Sequence, residues 1–450
     1  MISRVLRAAV ARLPCALCAV LAVGSAAAAE LDFGASAGVG RSDNITRSAD
    51  DEVEETIAAV GAGVSLDHRS RRITALALGS LAYLDYLDDT FDNEVVGNML
   101  LEGDFAIVPE RLNWVVQNNF GQTRRISTDP VTPDNRENIN YFTTGPDLTL
   151  PLGLRTSLLM SGRYSDVYYE EGDFGSEELF GSVGIARALT RASTLSLNAS
   201  IESTEHDNPL VAVDYDEYEA FLSYELEAAR TTLILDAGYT ELRFDDFTSD
   251  GYLARLALIR RLSPSSALTL TAGREFSNSA DIFRQLQEEG ATDTSTQPVQ
   301  VVGSPFESTY GSIDWDFERN RTRLGAGVAY YSEDYELTDD FNRDRLSFHV
   351  RGGRELSRTL SARAEVGYAE ESFDEFDREF SEVIAEFYLD WRLGRRVYTS
   401  LQYRWIDRSD DVAANEFSES QIWLLFGYSR SGRGSRIGGP MLPAMGQGAQ

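Results

Sequence analysis

Strict alternation of apolar and polar residues is the feature that most constrains the fold of this chain. In residues 382–391, one alternate set consists of Val, Ala, Phe, Leu and Trp, and the other consists of Glu, Ile, Glu, Tyr and Asp. Residues 397–405 repeat the pattern after a tight turn at Gly394 and Arg395. Because successive side chains of a β-strand point to opposite faces, each segment has one apolar face and one polar face. The same rhythm continues along most of the 450 residues and predicts an all-β protein.

The alternation predicts about twenty strands. Their approximate bounds are 31–41, 56–66, 72–84, 95–107, 112–125, 139–151, 156–169, 175–188, 193–204, 215–227, 231–244, 251–262, 266–277, 306–318, 321–335, 342–354, 359–372, 380–392, 396–407 and 418–429. Eighteen strands is the alternative, because 72–84 lacks clean alternation and 139–151 contains Pro146. The strands are about twice as long as the 5–6 residues typical of globular sheets. This length favours a single transmembrane antiparallel β-barrel at residues 30–430 over a soluble β-sandwich.

Short and long connectors alternate along the chain. Short connectors such as 190–192 and 356–358 supply turn residues and Arg, whereas long connectors such as 245–250 are rich in Asp. Bacterial outer-membrane barrels have short periplasmic turns and long extracellular loops. We therefore predict a protein of the Gram-negative outer membrane with short periplasmic turns and long acidic extracellular loops.

Both ends of the chain differ from the strand region. Residues 1–29 contain three early arginines, an apolar stretch and a run of small residues, which indicates a secretory signal peptide. A retained membrane anchor is the alternative, although the apolar core is short for a span of about 20 residues. The only two cysteines lie in this segment, so no disulfide is expected beyond it. Residues 431–450 are rich in Gly and Pro and are predicted to form a disordered tail.

Composition and motifs argue against several classes of function. The formal net charge is −31, or −34 without the three arginines of the predicted signal peptide, which argues against nucleic acid as a partner. The sequence has no phosphate-binding loop, dinucleotide fingerprint or histidine cluster, so neither cofactor nor metal is expected. His349 and Ser347 share a strand face, but a catalytic triad needs hydrogen-bond geometry rather than proximity in sequence. We therefore predict that the protein is not an enzyme.

The apolar strand faces are expected to contact lipid. Outer-membrane barrels carry an apolar band about 25 Å tall between two aromatic girdles. Leu197, Leu270 and Leu424 are candidates for the band. The predicted girdle residues are Tyr164, Tyr239, Trp315, Tyr330, Tyr368, Trp391, Trp405 and Tyr428. Outer-membrane lipid and lipopolysaccharide are therefore the expected partners of this face.

The polar strand faces are expected to line a water-filled lumen. Barrels of 16–18 strands leave an aqueous channel, and rings of charge tune which solutes enter it. The pore-lining candidates are Arg163, Glu225, Asp236, Arg255, Arg345, Arg351, Arg363, Glu365, Glu386, Asp390 and Arg404. They predict a channel for a hydrophilic solute, and the acidic chain with its acidic external loops predicts that this channel prefers cations. Cross-strand salt bridges that stiffen the wall are the structural alternative.

The longest connector, 278–305, bears directly on whether such a lumen is open. A short helix is predicted at 281–289 and a flexible part at 291–300. The connector either folds into the lumen or lies on the surface, and the sequence does not separate these alternatives. A non-transporting surface scaffold or binding barrel, whose lumen this connector blocks, is accordingly the second functional hypothesis.

A short motif near the start of the barrel resembles a known family. Asp43, Asn44 and Ile45 follow a Gly-rich first strand, and a first strand that runs into Asp-Asn-Ile resembles the outer-membrane β-barrel porin family associated with bacterial exopolysaccharide export. The resemblance implies export of a polysaccharide and contact with polysaccharide export components. From the residues themselves, Asp43 and Asn44 suit a local turn. Such barrels usually end on an aromatic residue that the barrel-assembly machinery reads, whereas here a tail of more than twenty residues follows Tyr428.

Overall fold

The chain forms one closed wall of β-strands in a computed structural model that describes residues 29–288, 303–374 and 378–430. Twenty strands pair in chain order, each antiparallel to its neighbours, and the first strand pairs with the last. The predicted antiparallel barrel is therefore confirmed, with twenty strands rather than eighteen. Apart from residue 29, the predicted signal peptide lies outside the described residues, as do the predicted tail and the predicted flexible segment 291–300.

The strand bounds follow the alternation closely, and each predicted end lies within three residues of the observed one. The strands are β1 Ala29–Ser42, β2 Glu55–Arg69, β3 Ile73–Tyr86, β4 Glu94–Val108, β5 Leu112–Arg124, β6 Arg136–Pro151, β7 Thr156–Tyr169, β8 Ser176–Ala188, β9 Ser193–His206, β10 Tyr215–Ala228, β11 Thr231–Arg243, β12 Thr248–Ser263, β13 Ser266–Ser277, β14 Phe306–Arg319, β15 Thr322–Tyr335, β16 Arg343–Glu355, β17 Leu360–Phe373, β18 Arg378–Arg392, β19 Val397–Asp410 and β20 Phe417–Ser429. The described residues also contain one helix, α1 (Ser279–Glu288), and single 3₁₀ turns at Pro133–Asn135, Asp339–Phe341 and Ala413–Asn415.

The two segments that favoured eighteen strands both form strands. Pro146 has no N–H, and the pairing of β6 with β7 is interrupted beside it but resumes in the same register at Asp147 and Ser161. Residues 73–86 pair continuously with β2 despite their irregular polarity. Hydrogen bonding from both neighbouring strands therefore overrides the weak local signal in each case.

The outer face of the wall is apolar. Leu197, Val350 and Ile422 each expose more than half of their area, at 59%, 62% and 51%. The eight predicted girdle residues lie on the same outward-facing sets. No helix among the described residues is long and apolar enough to cross a bilayer. Because burying this exposed area in water-free surroundings is favourable, the outer face is the surface that lipid covers.

Small residues allow the ring to close. The inward positions of β1 are Gly34, Ser36, Gly38, Gly40 and Ser42. A Cβ atom on Gly40 would overlap the Trp423 ring, and one on Gly38 would overlap the Leu425 side chain. The two large side chains of β20 therefore occupy the space that Gly38 and Gly40 leave open, and this fit defines the β1–β20 seam.

Candidate functional site: the barrel lumen

The inward-facing side chains form the candidate site. In β19, Tyr398 belongs to the buried inward set, whereas Leu401 belongs to the outward set of the same strand and is exposed. Glu365 lies between its register partners Arg351 and Glu386. All eleven predicted pore-lining residues belong to inward sets: Arg163, Glu225, Asp236, Arg255, Arg345, Arg351, Arg363, Glu365, Glu386, Asp390 and Arg404. Their position is thus established, while their part in transport stays a prediction.

All six arginines of this set are paired with a carboxylate on an adjacent or next-but-one strand. Arg163 binds Asp147 through two contacts of 2.7 and 2.8 Å. Arg255 lies between Glu219, at 2.6 Å, and Glu275. The other pairs are Arg345 with Glu371, Arg351 with Asp316 at 2.6 Å, Arg363 with Asp390 at 3.2 Å and Arg404 with Glu386 at 3.5 Å. These pairs have the geometry of the wall-stiffening alternative, and they neutralise the arginines locally.

Another sector of the wall keeps carboxylates that take part in no ion pair among the described residues. Glu178, Glu202 and Glu217 occupy inward positions of β8, β9 and β10, and Glu202 and Glu217 are register partners. Glu225 and Asp236 continue the sector on β10 and β11. Glu178 and Glu217 were not among the predicted residues, although strand parity alone places them inside. Carboxyl groups without an arginine partner in an ion pair are therefore concentrated on this side of the lumen.

A third sector of the inner wall is apolar, which the sequence analysis did not predict. Ile57, Ala82, Leu84, Trp423 and Leu425 form one buried cluster on β2, β3 and β20. Both faces of β3 are therefore apolar, and this is the physical reason why its alternation is unclear. The polar lining covers part of the circumference rather than all of it.

Helix α1 lies inside the barrel. Phe283 is completely buried against Ile139, Tyr141, Val167 and Tyr169, which are inward residues of β6 and β7. The helix follows β13, which is six strands from β7, or roughly 29 Å along the wall at the usual spacing between strands. It reaches β6 and β7 only by crossing the interior. The predicted helix is therefore present, and the helical part of the 278–305 connector folds inward.

A second element enters the lumen from the connector between β5 and β6. We call residues 125–135 the hairpin tip. Its backbone carbonyls at Thr128 and Val131 accept hydrogen bonds from Arg378, Arg408 and Arg47. Since β5 and β19 are also six strands apart, the tip crosses the interior as well. The sequence analysis treated this connector as an ordinary acidic loop.

The Asp-Asn-Ile motif fastens the seam rather than lining the lumen. The Asp43 carboxylate accepts from the Ser420 N–H at 2.7 Å, and the Asp43 N–H donates to the Ser420 carbonyl. The buried Asn44 amide donates to the carbonyls of Ser48 and Ser418. The bond to Ser48 is the predicted local turn contact. The bonds to β20 were not predicted, because their partners lie at the far end of the chain.

The geometry around His349 does not assemble a catalytic triad. Its Nε2 atom lies 3.5 Å from the Asp314 carboxylate. The Ser347 hydroxyl donates to the Ala329 carbonyl, away from the imidazole. Among the described residues, no group of three His, Cys, Asp or Glu side chains has the arrangement of a metal site.

Comparison with known proteins finds distant structural likenesses and no sequence match. No family model and no curated protein matches the sequence. Similar solved structures include the ferric enterobactin receptor PfeA from Pseudomonas aeruginosa (10% identity, TM-score 0.48, 89% of this chain and 80% of that chain). They also include the siderophore receptor PirA from the same organism (12%, 0.44, 89% and 80%) and Acinetobacter baumannii OccAB3 (9%, 0.38, 89% and 98%). None of these names concerns exopolysaccharide.

With TM-scores below 0.5, these likenesses decide nothing about function, and the assignment depends on the chain itself. Its strands close into a ring, its outer face is apolar, and its inner face carries arginines in ion pairs together with carboxyl groups that form no ion pair among the described residues. Only a closed barrel satisfies every backbone group of a β-sheet in lipid. The chain is therefore a twenty-stranded transmembrane β-barrel of the Gram-negative outer membrane.

Proposed function

We propose that the protein is a gated channel for small or extended hydrophilic solutes. The observation that carries the proposal is the contrast between an apolar outer face and an inner face with charged residues on β7 to β19, entered by α1 and by the hairpin tip. A barrel that served only as a scaffold has no need of such a lining. Narrowing elements at the loop end of a polar lumen favour a channel that is constricted rather than wide open.

The channel is expected to prefer cations. The lumenal arginines are matched by carboxylates, whereas Glu178, Glu202 and Glu217 are not. A net negative lining attracts cations and repels anions. Purified protein in planar bilayers should give discrete openings with a reversal potential on the cation side in a salt gradient. Bilayers that stay closed at every voltage would remove the channel proposal, and a reversal potential favouring chloride would remove the charge argument.

Exopolysaccharide is the first cargo to test, on the strength of the motif at residues 43–45. A host from which the gene is deleted should retain polymer in the periplasm, and wild-type protein should restore its release. Unchanged release in the deletion strain would exclude this cargo and leave the channel proposal intact, because conductance is measured separately.

A non-transporting barrel is the second candidate, and the crossing of the lumen by α1 favours it. This candidate predicts no conductance from the intact protein. Deletion of 279–302, with Asn278 joined to Gly303, should then create a pore that the intact protein lacks. A channel instead conducts in both forms, with a larger conductance after the deletion.

A further inference from the structure

The end of the β5–β6 hairpin leaves the barrel wall. The pairing of β5 with β4 ends at Phe120, whereas β5 and β6 remain paired with each other up to Arg124 and Arg136. The pairing of β6 with β7 begins only at Ile139. The last residues of the hairpin therefore leave the strand ladders of β4 and β7, although they keep contacts such as the Arg136–Glu94 ion pair at 2.6 Å and the hydrogen bond from the Glu170 N–H to the Asn138 carbonyl. The loss of ladder pairing lets the tip beyond them bend across the interior.

Three arginines from the opposite wall hold the hairpin tip. The Thr128 carbonyl accepts from Arg378 at 2.9 Å and from Arg408 at 2.6 Å. The Val131 carbonyl accepts from Arg47 at 2.5 Å. Hydrogen bonds from ionised donors are roughly twice as strong as neutral ones. Because all three bonds end on backbone carbonyls, they fix the path of the tip.

The arginines are themselves fixed by buried carboxylates. Arg408 and Asp410 are fully buried and lie 2.6 Å apart, and Arg378 binds the same carboxylate at 3.1 Å. Arg47 binds Glu419 at 2.9 Å. Arg47 also adopts a left-handed φ of 52°, a conformation that costs a non-glycine residue of order 1–3 kcal/mol and persists where surrounding contacts impose it. The three arginines are therefore oriented before the tip arrives.

Polar bonds rather than packing hold the tip against this wall. A cavity of about 380 Å³ lies beside it, lined by residues of the tip, of the turn after β1 and of the β19–β20 connector. Within the tip, the Asn135 amide donates to the carbonyls of Ile126 and Pro130 and accepts from the Ile126 N–H. The tip is thus an internally braced unit beside open space, attached to the opposite wall at two carbonyls and to the β7–β8 connector by the Arg125–Glu171 ion pair at 2.9 Å.

We propose that the hairpin tip is the constriction that sets the largest solute the lumen admits, and that Arg47, Arg378 and Arg408 are the positioning residues that hold it there. This inference rests on the proposed channel function. The arginines act on size selection through the tip and need not touch the solute. Loss of the contacts between these arginines and the tip should raise the size limit for solutes while the barrel wall stays intact.

Liposome swelling with sugars of increasing size tests the proposal. Arg378→Gln, Arg408→Gln and Arg47→Gln should each admit sugars that the wild type excludes and should increase single-channel conductance. The single variants leave each carboxylate with other donors, since Asp410 keeps the Val412 N–H and Glu419 keeps Ser42 and Gln421. Arg323→Gln, which removes an exposed ion pair with Glu318, is the matched control and should leave the size limit unchanged.

A covalent crosslink between the tip and β18 can replace the lost arginine contacts. No cysteine follows residue 18, so Thr128→Cys and Arg378→Cys, combined with Arg408→Gln, introduce the only two thiols of the barrel. Before crosslinking, this variant should admit the larger sugars, and a short bismaleimide should return the wild-type limit. Equal size limits in wild type, single variants and crosslinked protein would overturn the inference. Absence of conductance in every form, including wild type, would instead overturn the channel function itself.

Discussion

Glu202 and Glu217 are direct register partners on β9 and β10 and face the lumen side by side. Two carboxylates in this position repel each other when both are ionised, and no ion pair among the described residues relieves them. Ionisation of both groups therefore costs stability. Such a cost is expected where charge serves the solute path rather than the wall.

We expect the double substitution Glu202→Gln and Glu217→Gln to weaken cation preference. Removing two lumenal charges should move the reversal potential in a salt gradient toward zero, and relief of the repulsion should stabilise the barrel by roughly 0.2–1 kcal/mol. The control is Glu177→Gln with Glu205→Gln, a pair of register partners on the outward face of β8 and β9. An equal shift in both variants would show that total charge, and not lumenal charge, sets the preference.

The buried and exposed ion pairs of the barrel should differ strongly in their response to substitution. Arg404 and Glu386 have side chains that are 4% and 2% exposed, so Arg404→Ala removes the cation of a buried ion pair and should cost about 3–5 kcal/mol. Arg323→Ala breaks a pair that is 56% exposed on both sides and should cost about 0–1 kcal/mol. Unfolding in urea, followed by the mobility of unheated samples in SDS gels, measures both. Similar midpoints for the two variants would contradict the expected difference.

Ring closure should depend on the glycine stripe of β1. Gly40→Ala places a methyl group where the Trp423 ring lies, and overpacking of this kind costs about 1–3 kcal/mol. Gly153→Ala is the control, because nothing lies within 4 Å of a Cβ atom at that turn position. The fraction of protein that runs as the compact, heat-modifiable band should fall in the first variant alone. A normal band for Gly40→Ala would mean that β20 shifts at little cost.

The docking of α1 should depend on Phe283. Phe283→Ala removes a completely buried ring and should weaken the docked state by about 3–5 kcal/mol, as for other buried aromatic residues. Faster proteolysis near α1 and a larger, noisier conductance are expected. Phe247→Ala alters an exposed loop phenylalanine and should change neither property. Unchanged protease sensitivity of the first variant would show that α1 is held mainly by other contacts.

The strand pattern could be read from the sequence because a barrel wall repeats one local rule. Side-chain parity placed all eleven lining candidates on the inner face, and turn residues located the strand ends. Parity could not reveal that β3 is apolar on both faces, since an irregular pattern fits several environments. It also could not show that Thr128 meets Arg408, because nothing local to residues 125–135 encodes a partner 280 residues away.

The contacts of the motif at 43–45 can likewise be predicted from the local sequence only in part. A turn at Asp43 and Asn44 follows from their short polar side chains, and the Asn44 contact with Ser48 agrees with it. The contact of Asn44 with Ser418 depends on which strand closes the ring. Knowledge of the ring closure is needed before the motif can be understood as a fastening between the first and last strands.

The seam also has a consequence for how the molecule is made. Residues 34–42 find their partners only at 421–429, so one edge of β1 stays unsatisfied until the final strand has been synthesised. Open sheet edges invite pairing with foreign chains, and contacts so distant in sequence form slowly. We therefore expect the barrel to form through an intermediate with an exposed edge, which stays open to foreign pairing until β20 arrives.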